Sequence, residues 1–452
     1  MPNPKVVIVG AGSLFFGRKA LWQITHSPHL NDGTLGLVDI DAERLDKMKR
    51  LAEKVIAHRG VPLRLEASTD RRAVLADADY VVLCFADRNA HFRGVDVETS
   101  AKYGIRMCSG DTIGPGGVFR TARELPEIAR VCEDIRDLCP NAWIVNYINP
   151  TAVHGMALRR YFPDLRSFAI CDAQWALRGR VAQAVGVPDD DKLVVRSVGP
   201  NHFTWLVEAS YDGRDVMSKL IESVRAAGEA DLNQQAQGGA ASSKGLLNNS
   251  IAIELYDAFG ALPTVLGHTK EYVRFYQRPG VLGEDRHPAL KLFDVPARLE
   301  WTRRDWARVD AYLNGEADIA EFDEEFGPDP ATDVIESMAG GLGKRFFINT
   351  TNGDAVANLS RDAFIELECE IDAEHGPRPL PAPALPRGVR GMCELVLDTH
   401  EITAEAVMTG DRRLLRRALL TDPLTNSIGD TDALIDELLD READALPEGA
   451  FR

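Results

Sequence analysis

The feature that most constrains this chain is a β-branched run, Lys5–Val9, that ends in Gly10-Ala11-Gly12-Ser13-Leu14-Phe15-Phe16-Gly17 and opens a helical pattern. Gly10 lets the chain turn sharply, and Gly12 lets the backbone come close to a pyrophosphate. The helix that follows offers free N–H groups and its positive dipole end to an anion. Phe15 stands where the third glycine of the common GxGxxG pattern would be. A second strand, residues 33–39, ends in Asp39, an acid able to bind both hydroxyls of a ribose. The context predicts a dinucleotide site built from Gly10, Gly12, Ser13, Leu14, Phe15 and Asp39, with NAD favoured over NADP. A glycine turn of this kind also occurs in α/β folds that bind no nucleotide.

The same alternation continues through the first half. Residues 16–24 and 41–58 read as helices; in the second, Leu45, Met48, Leu51, Ala52 and Val55 share one face. Strands are expected over 79–85, 142–147, 167–171 and 193–198, with a helix over 122–139. Short strands alternating with helices imply βαβ units, hence a doubly wound, Rossmann-like parallel sheet. In the second half, 234–245 (QQAQGGAASSKG) reads as a mobile loop, 246–259, 268–276, 301–313, 389–409 and 411–420 as helices, and the proline-rich 376–386 as an extended crossing segment without regular structure. The expected division is a Rossmann-like cofactor domain over 1–200 and an α+β substrate and oligomerisation domain over 201–452.

The 452 residues carry 52 Lys plus Arg against 69 Asp plus Glu, a net charge of −17. Such a field repels phosphate backbones and argues against nucleic acid as a partner. No apolar stretch approaches the roughly 18 residues that span a bilayer, and the start of the chain is not expected to serve as a signal peptide. Seven scattered cysteines without a CxxC pair point to a reducing cytoplasm.

Several motifs carry chemistry. Asn149, before Pro150 and after a strand, is biased to extended geometry that can turn its amide into the crevice at the sheet's carboxyl edge; it also reads as an ordinary turn asparagine. Cys171, with Asp172 next to it, and His202, in Gly199-Pro200-Asn201-His202, both follow strands. A thiolate and an imidazole can share a transition metal, although a buried cysteine and a core histidine would look the same. Asp111 opens a second glycine-rich turn, DTIGPGG. His268, Glu271, Tyr272 and Tyr276 fall on one face of the helix expected there, which also fits a plain amphipathic surface.

In order and spacing these motifs resemble glycoside hydrolase family 4, the NAD-dependent glycosidases related to lactate and malate dehydrogenases. The resemblance runs through VVIVGAGSLFF, LVDID, Arg93-x-x-Asp96, DTIGPGG, NYINPT, ICD, GPNHFTW, ELYDAFG, HTKEY, TNGDAVANL and the closing ITAEAVMTGDRRLLRRALLTDPLT. It implies that Cys171 and His202 bind a divalent metal, typically manganese. It implies that Arg93, Asp111, Asn149, Asn201 and His268 line the sugar site, that Asp172 is the general acid, and that Tyr272 or Tyr276 is the base. Asp172 matches members acting on 6-phospho-α-glucosides, whereas HTKEY is similar to members acting on unphosphorylated sugars or uronates.

The mechanism so implied is an exception to two-carboxylate glycoside hydrolysis. Oxidation at C3 acidifies the C2 proton, a base removes it, the aglycone leaves C1, water adds, and the hydride returns. The expected substrate is an α-glycoside with a uronate, phosphate or sulfonate group at C6, and Arg88, Arg93, Arg274 and Arg286 are the cations to consider beside it. A homodimer or homotetramer is implied by resemblance. The competing reading is an NAD-dependent dehydrogenase of a small hydroxy acid or sugar. A sugar sensor without catalysis is a third.

Overall fold

The computed structural model describes residues 3–14, 17–236, 248–277, 290–425 and 427–451. Six strands, β1 (Lys5–Val9), β2 (Thr34–Val38), β3 (Arg64–Ser68), β4 (Tyr80–Leu83), β5 (Trp143–Asn146) and β6 (Arg166–Ala169), pair in parallel in the order β6-β5-β4-β1-β2-β3. This is the doubly wound arrangement expected from the alternating pattern. Side chains alternate across it: Val6, Ile8, Val82 and Val145 enter one core, and Val7, Val9, Val81 and Ile144 the other. Helices Gly17–His26 and Ala42–Arg59 cover the first face, and Gly114–Leu138 and Thr151–Tyr161 the second. Burial on both faces explains why the inner strands β1 and β4 read as nearly unbroken apolar runs, while the edge strand β3 does not.

Beyond β6 the chain builds a small antiparallel sheet from β7 (Leu193–Val198), β8 (Trp205–Tyr211), β9 (Arg214–Asp215) and β10 (Leu262–Pro263). It then returns to the first sheet. Strands β11 (Arg345–Thr351), β12 (Phe364–Asp372) and β13 (Gly376–Pro379) extend that sheet past β6 with antiparallel pairing, giving nine strands in all. The C-terminal half thus completes the sheet begun by the N-terminal half. The long helix Arg387–Thr409 packs on Thr151–Tyr161 and Gly114–Leu138 and seals the second face.

Three local expectations are corrected. The helix foreseen from residue 122 begins at Gly114, so the glycine-rich DTIGPGG runs into its first turn. Small residues are required there because a Cβ on Gly116 would lie 2.6 Å from the Gly110 carbonyl oxygen. Residues 376–379 of the proline-rich segment form the edge strand β13, where a proline's missing N–H is tolerated. The single helix expected over 268–276 is broken into Leu266–Thr269 and a 3-10 turn, Arg274–Tyr276. Between them the Glu271 carboxylate accepts the Ser109 and Gly110 backbone N–H groups. Of the loop expected over 234–245, residues 234–236 close the helix Met217–Ala236, and the rest lies outside the described residues.

Candidate active site

The turns that follow β1, β5 and β6 all open at the carboxyl edge of the parallel sheet, where doubly wound folds bind ligands. Gly10 turns with φ +98°, and both its N–H and that of Ala11 donate to the Val38 carbonyl. The Gly12 N–H donates to Asp39 Oδ2 at 2.8 Å, and the Asp41 N–H to Asp39 Oδ1 at 2.9 Å. A Cβ on Gly12 would stand 2.8 Å from Asp39 Oδ2, so a side chain there would push the Asp39 carboxylate aside. Ser13 and Leu14 lead into the helix, with the Gly17 N–H donating to Ser13 O and Arg18 Nε to Leu14 O. Phe15 lies outside the described residues. Ile40, next to Asp39, is 90% exposed, an apolar platform at the crevice that sequence reasoning missed. These features fit a dinucleotide: a backbone cradle that a side chain would fill, an acid for the ribose and an apolar surface for a base.

Across the sheet, Cys171 Sγ and His202 Nε2 stand 3.0 Å apart, both buried. Cys171 follows β6, and His202 ends the turn after β7 with φ +65°, a left-handed conformation that a non-glycine residue adopts at some cost. His202 Nδ1 lies 3.4 Å from Thr112 Oγ1, which turns Nε2 toward the sulfur, and the His268 ring stacks on His202 at 3.8 Å. Burial, with Asp172 and Glu366 nearby, pushes the Cys171 thiol well above its usual range. A positive charge between sulfur and imidazole would reverse that pressure, so the donor pair fits a divalent transition metal. Among the described residues no group of three His, Cys, Asp or Glu converges. Two protein donors leave coordination positions to substrate oxygens and water, as catalytic sites require.

The expected sugar contacts lie on neighbouring elements. Asn149 is half-buried, and its Oδ1 accepts from Thr151 Oγ1 at 2.7 Å. Arg93 is buried in helix Asn89–Lys102 and donates through Nε to the Ser109 carbonyl at 2.9 Å, with Nη2 3.3 Å from Asp111 Oδ2. Arg120 Nη1 approaches the same carboxylate to 3.7 Å, and its Nε lies 3.9 Å from Glu124. Burial raises Glu124 to about 7, and the two buried arginines both approach Asp111. Arg298, whose guanidinium stacks over Trp301, is held down by burial and then by Arg93. Of the other arginines named from sequence, Arg88 pairs with Asp87 and Asp444 on the surface, Arg274 is exposed, and Arg286 lies outside the described residues.

The broken helix separates the two tyrosines. Tyr272 stacks on Phe203 at 5.1 Å and donates its hydroxyl to the Asn201 carbonyl at 3.0 Å, beside His202. Tyr276 donates instead to Glu254 Oε2, also at 3.0 Å, in the helix Asn248–Phe259. Burial raises both phenols above their usual range. Asp172 is half-buried in the 3-10 turn Asp172–Gln174. Sequence reasoning did not single out Glu366 on β12: fully buried, it accepts from Asn201 Nδ2 at 3.3 Å, and burial raises it to about 8. Nothing in its local sequence marks it, because its partners are on other strands.

Comparisons with known proteins bear on the family of the chain. The model of the family 4 glycosyl hydrolases matches residues 5–187, and that of the family 4 glycosyl hydrolase C-terminal domain matches residues 197–425. An alpha-galacturonidase of Bacillus subtilis (strain 168) is 28% identical over 447 residues, covering 96% of each chain. An alpha-galactosidase of the same organism is 27% identical over 459 residues, covering 98% of this chain and 99% of its own. Among solved structures, a 6-phospho-alpha-glucosidase from gut microorganisms, in complex with NAD and Mn2+, superposes with a TM-score of 0.82 at 22% identity, covering 99% of both chains. With both family models matched along nearly its whole length, this chain belongs to the family 4 glycosyl hydrolases.

Proposed function

We propose that the protein is an NAD- and divalent-metal-dependent glycosidase acting on an α-glycoside with an anionic group at C6, a uronate, phosphate or sulfonate. The observation that carries this reading is the Cys171–His202 pair, 3.0 Å apart on the same sheet edge as the Gly10–Gly12 cradle and Asp39. A dehydrogenase would need the cradle but not that pair. Gly12 and Asp39 would hold NAD, which would supply hydride chemistry, and Cys171 and His202 would hold a divalent ion, with manganese the expected metal, which would supply Lewis-acid polarisation of the sugar.

The chain's own residues do the rest. Gly12 and Asp39 fix the cofactor's position, and Asn149, Arg93 and Asp111 orient the sugar ring. Tyr272 is the base of choice, because its hydroxyl lies beside His202 while Tyr276 is committed to Glu254. Its buried phenol needs a positive neighbour to lose its proton to solvent and then take the C2 proton. Asp172, half-exposed one residue past Cys171, protonates the leaving oxygen. The anionic C6 group is supported by Arg93, Arg120 and Arg298, three arginines gathered around Asp111. The relatives named for galacturonides and 6-phospho-glucosides act on sugars with such charges. A cytoplasmic home fits the seven cysteines, all unbridged and buried, and a homo-oligomer is proposed on family resemblance alone.

The test is a panel of α-glycosides, neutral, uronate and 6-phosphate, assayed in D2O with NAD+, Mn2+ and a thiol reductant. Hydrolysis of the anionic members with deuterium at C2 and no net NADH is expected. Stoichiometric NADH would favour the dehydrogenase, and hydrolysis without C2 exchange would overturn the mechanism.

A further inference from the structure

Glu366 lies on β12 at the centre of the sheet's antiparallel extension. In register it stands opposite Asn349 on β11, which itself stands opposite Ala169 on β6, two residues before Cys171. On its other side it bridges to the turn that carries His202: the Gly199 N–H donates to Glu366 O at 3.3 Å, and the Glu366 N–H to Gly199 O at 2.8 Å. The side chain makes the same connection. It accepts from Asn201 Nδ2 at 3.3 Å, and the Gln174 amide and His202 backbone N–H also bear on its charge. Gln174 closes the 3-10 turn that starts right after Cys171.

The surrounding polar atoms are buried and complementary. Gln174 Nε2 and Asn349 Nδ2 are donors, and Glu366 Oε1 and Asn201 Oδ1 acceptors, all buried here and none within hydrogen-bonding geometry of a partner among the described residues. Buried polar atoms are kept where a network specifies a geometry, since leaving them in an apolar core costs free energy. This network lies directly behind two donors that come from turns 31 residues apart in sequence.

From this geometry we propose that Glu366 is a positioning residue for the metal pair: its side chain ties the turn after Cys171 to the turn before His202 and sets the distance between sulfur and imidazole. The proposal rests on the metal-dependent reading above and assigns Glu366 no contact with substrate or cofactor. Outer groups that orient ligands in this way change metal affinity by about 10–100-fold when removed.

The experiment is a Mn2+ titration of the full-length protein, with free Mn2+ read by electron paramagnetic resonance, alongside NAD+ titration by tryptophan fluorescence. Glu366→Leu is expected to weaken Mn2+ binding by at least about tenfold while NAD+ affinity stays within about twofold. Glu366→Gln keeps the shape and a carbonyl acceptor and is expected to restore most of the Mn2+ affinity. Asn201→Ala, which cuts the same tie from the other end, should weaken Mn2+ as Glu366→Leu does, and it serves as the test if Glu366→Leu does not fold. Wild-type Mn2+ affinity in Glu366→Leu, or in Asn201→Ala if Glu366→Leu does not fold, overturns the proposal. So does a parallel loss of Mn2+ and NAD+ affinity, which marks a merely structural role. A wild-type protein that takes up no Mn2+ overturns the metal-dependent reading itself, and the proposal with it.

Discussion

A side chain on Gly12 would meet Asp39, which takes both its backbone N–H and the space above its Cα. Gly12→Ala is expected to displace the Asp39 carboxylate and raise the NAD+ dissociation constant about tenfold or more, a loss of about 1.4 kcal/mol, in a calorimetric titration. Mn2+ affinity should not change. Tyr272 and Tyr276 allow a second comparison. Tyr272→Phe is expected to lower C2 deuterium exchange by at least about a hundredfold, the lower end of what general-base catalysis contributes, and Tyr276→Phe by far less. Equal losses would mean that the Asn201 carbonyl bond does not mark the base. Residues of the cradle were legible because each acts next to a strand end that the sequence announces. Glu366 was not: its role depends on Asn201 and Gly199, far away in the chain, so no local pattern contains it.

At the level of elements, helix Gly114–Leu138 runs past both the active site and the C-terminal helix Ile428–Arg441. Its Arg123 is buried between Asp96 and Glu442, with Nη2 2.8 Å from Asp96 Oδ2 and Nη1 paired with Glu442. Burial raises Glu442 well above its usual range, since one guanidinium does not fully offset two buried carboxylates. Arg123→Leu strands both acids and is expected to cost about 3–5 kcal/mol in urea unfolding at neutral pH. The cost should shrink as pH falls and Glu442 takes up a proton, and a pH-independent loss would point to packing instead. The parallel strands other than β3, and helices such as Ala42–Arg59 and Arg387–Thr409, were readable from periodicity, whereas Asn89–Lys102, Thr151–Tyr161 and Met217–Ala236 were not foreseen. The broken helix around Tyr272 was not, because Glu271 turns its side chain to the Ser109 and Gly110 amides, a tertiary interaction that outweighs helical spacing.

For the whole molecule, Asp422 joins the C-terminal region to the active-site loop by accepting the Gly114 N–H at 2.8 Å. Burial raises it from 3.8 to about 6. Between these values the folded protein holds a proton that the unfolded chain has lost. The Asp422 contribution therefore favours folding less as pH rises through roughly 4 to 6, and above that window the charged group costs on the order of 3 kcal/mol. Asp422→Asn removes the titration. Its stability relative to wild type, from urea unfolding at pH 4.5 and pH 7, is expected to increase with pH; an unchanged difference would refute the assignment.

The strand, glycine turn, amphipathic helix and acid at the start of the chain were legible in the sequence, because each is a local requirement that leaves a local trace. The sequence also supplied Cys171, Asp172 and His202 as chemically apt residues at strand ends. Tertiary structure decided which of them meet. The return of β11, β12 and β13 to the first sheet brings Glu366 behind Cys171 and His202, and the bend at Glu271 sends one tyrosine to Asn201 and the other to Glu254. Those outcomes depend on which distant backbone and carboxyl groups satisfy one another in a buried, low-dielectric interior, and such pairings leave no period in a sequence.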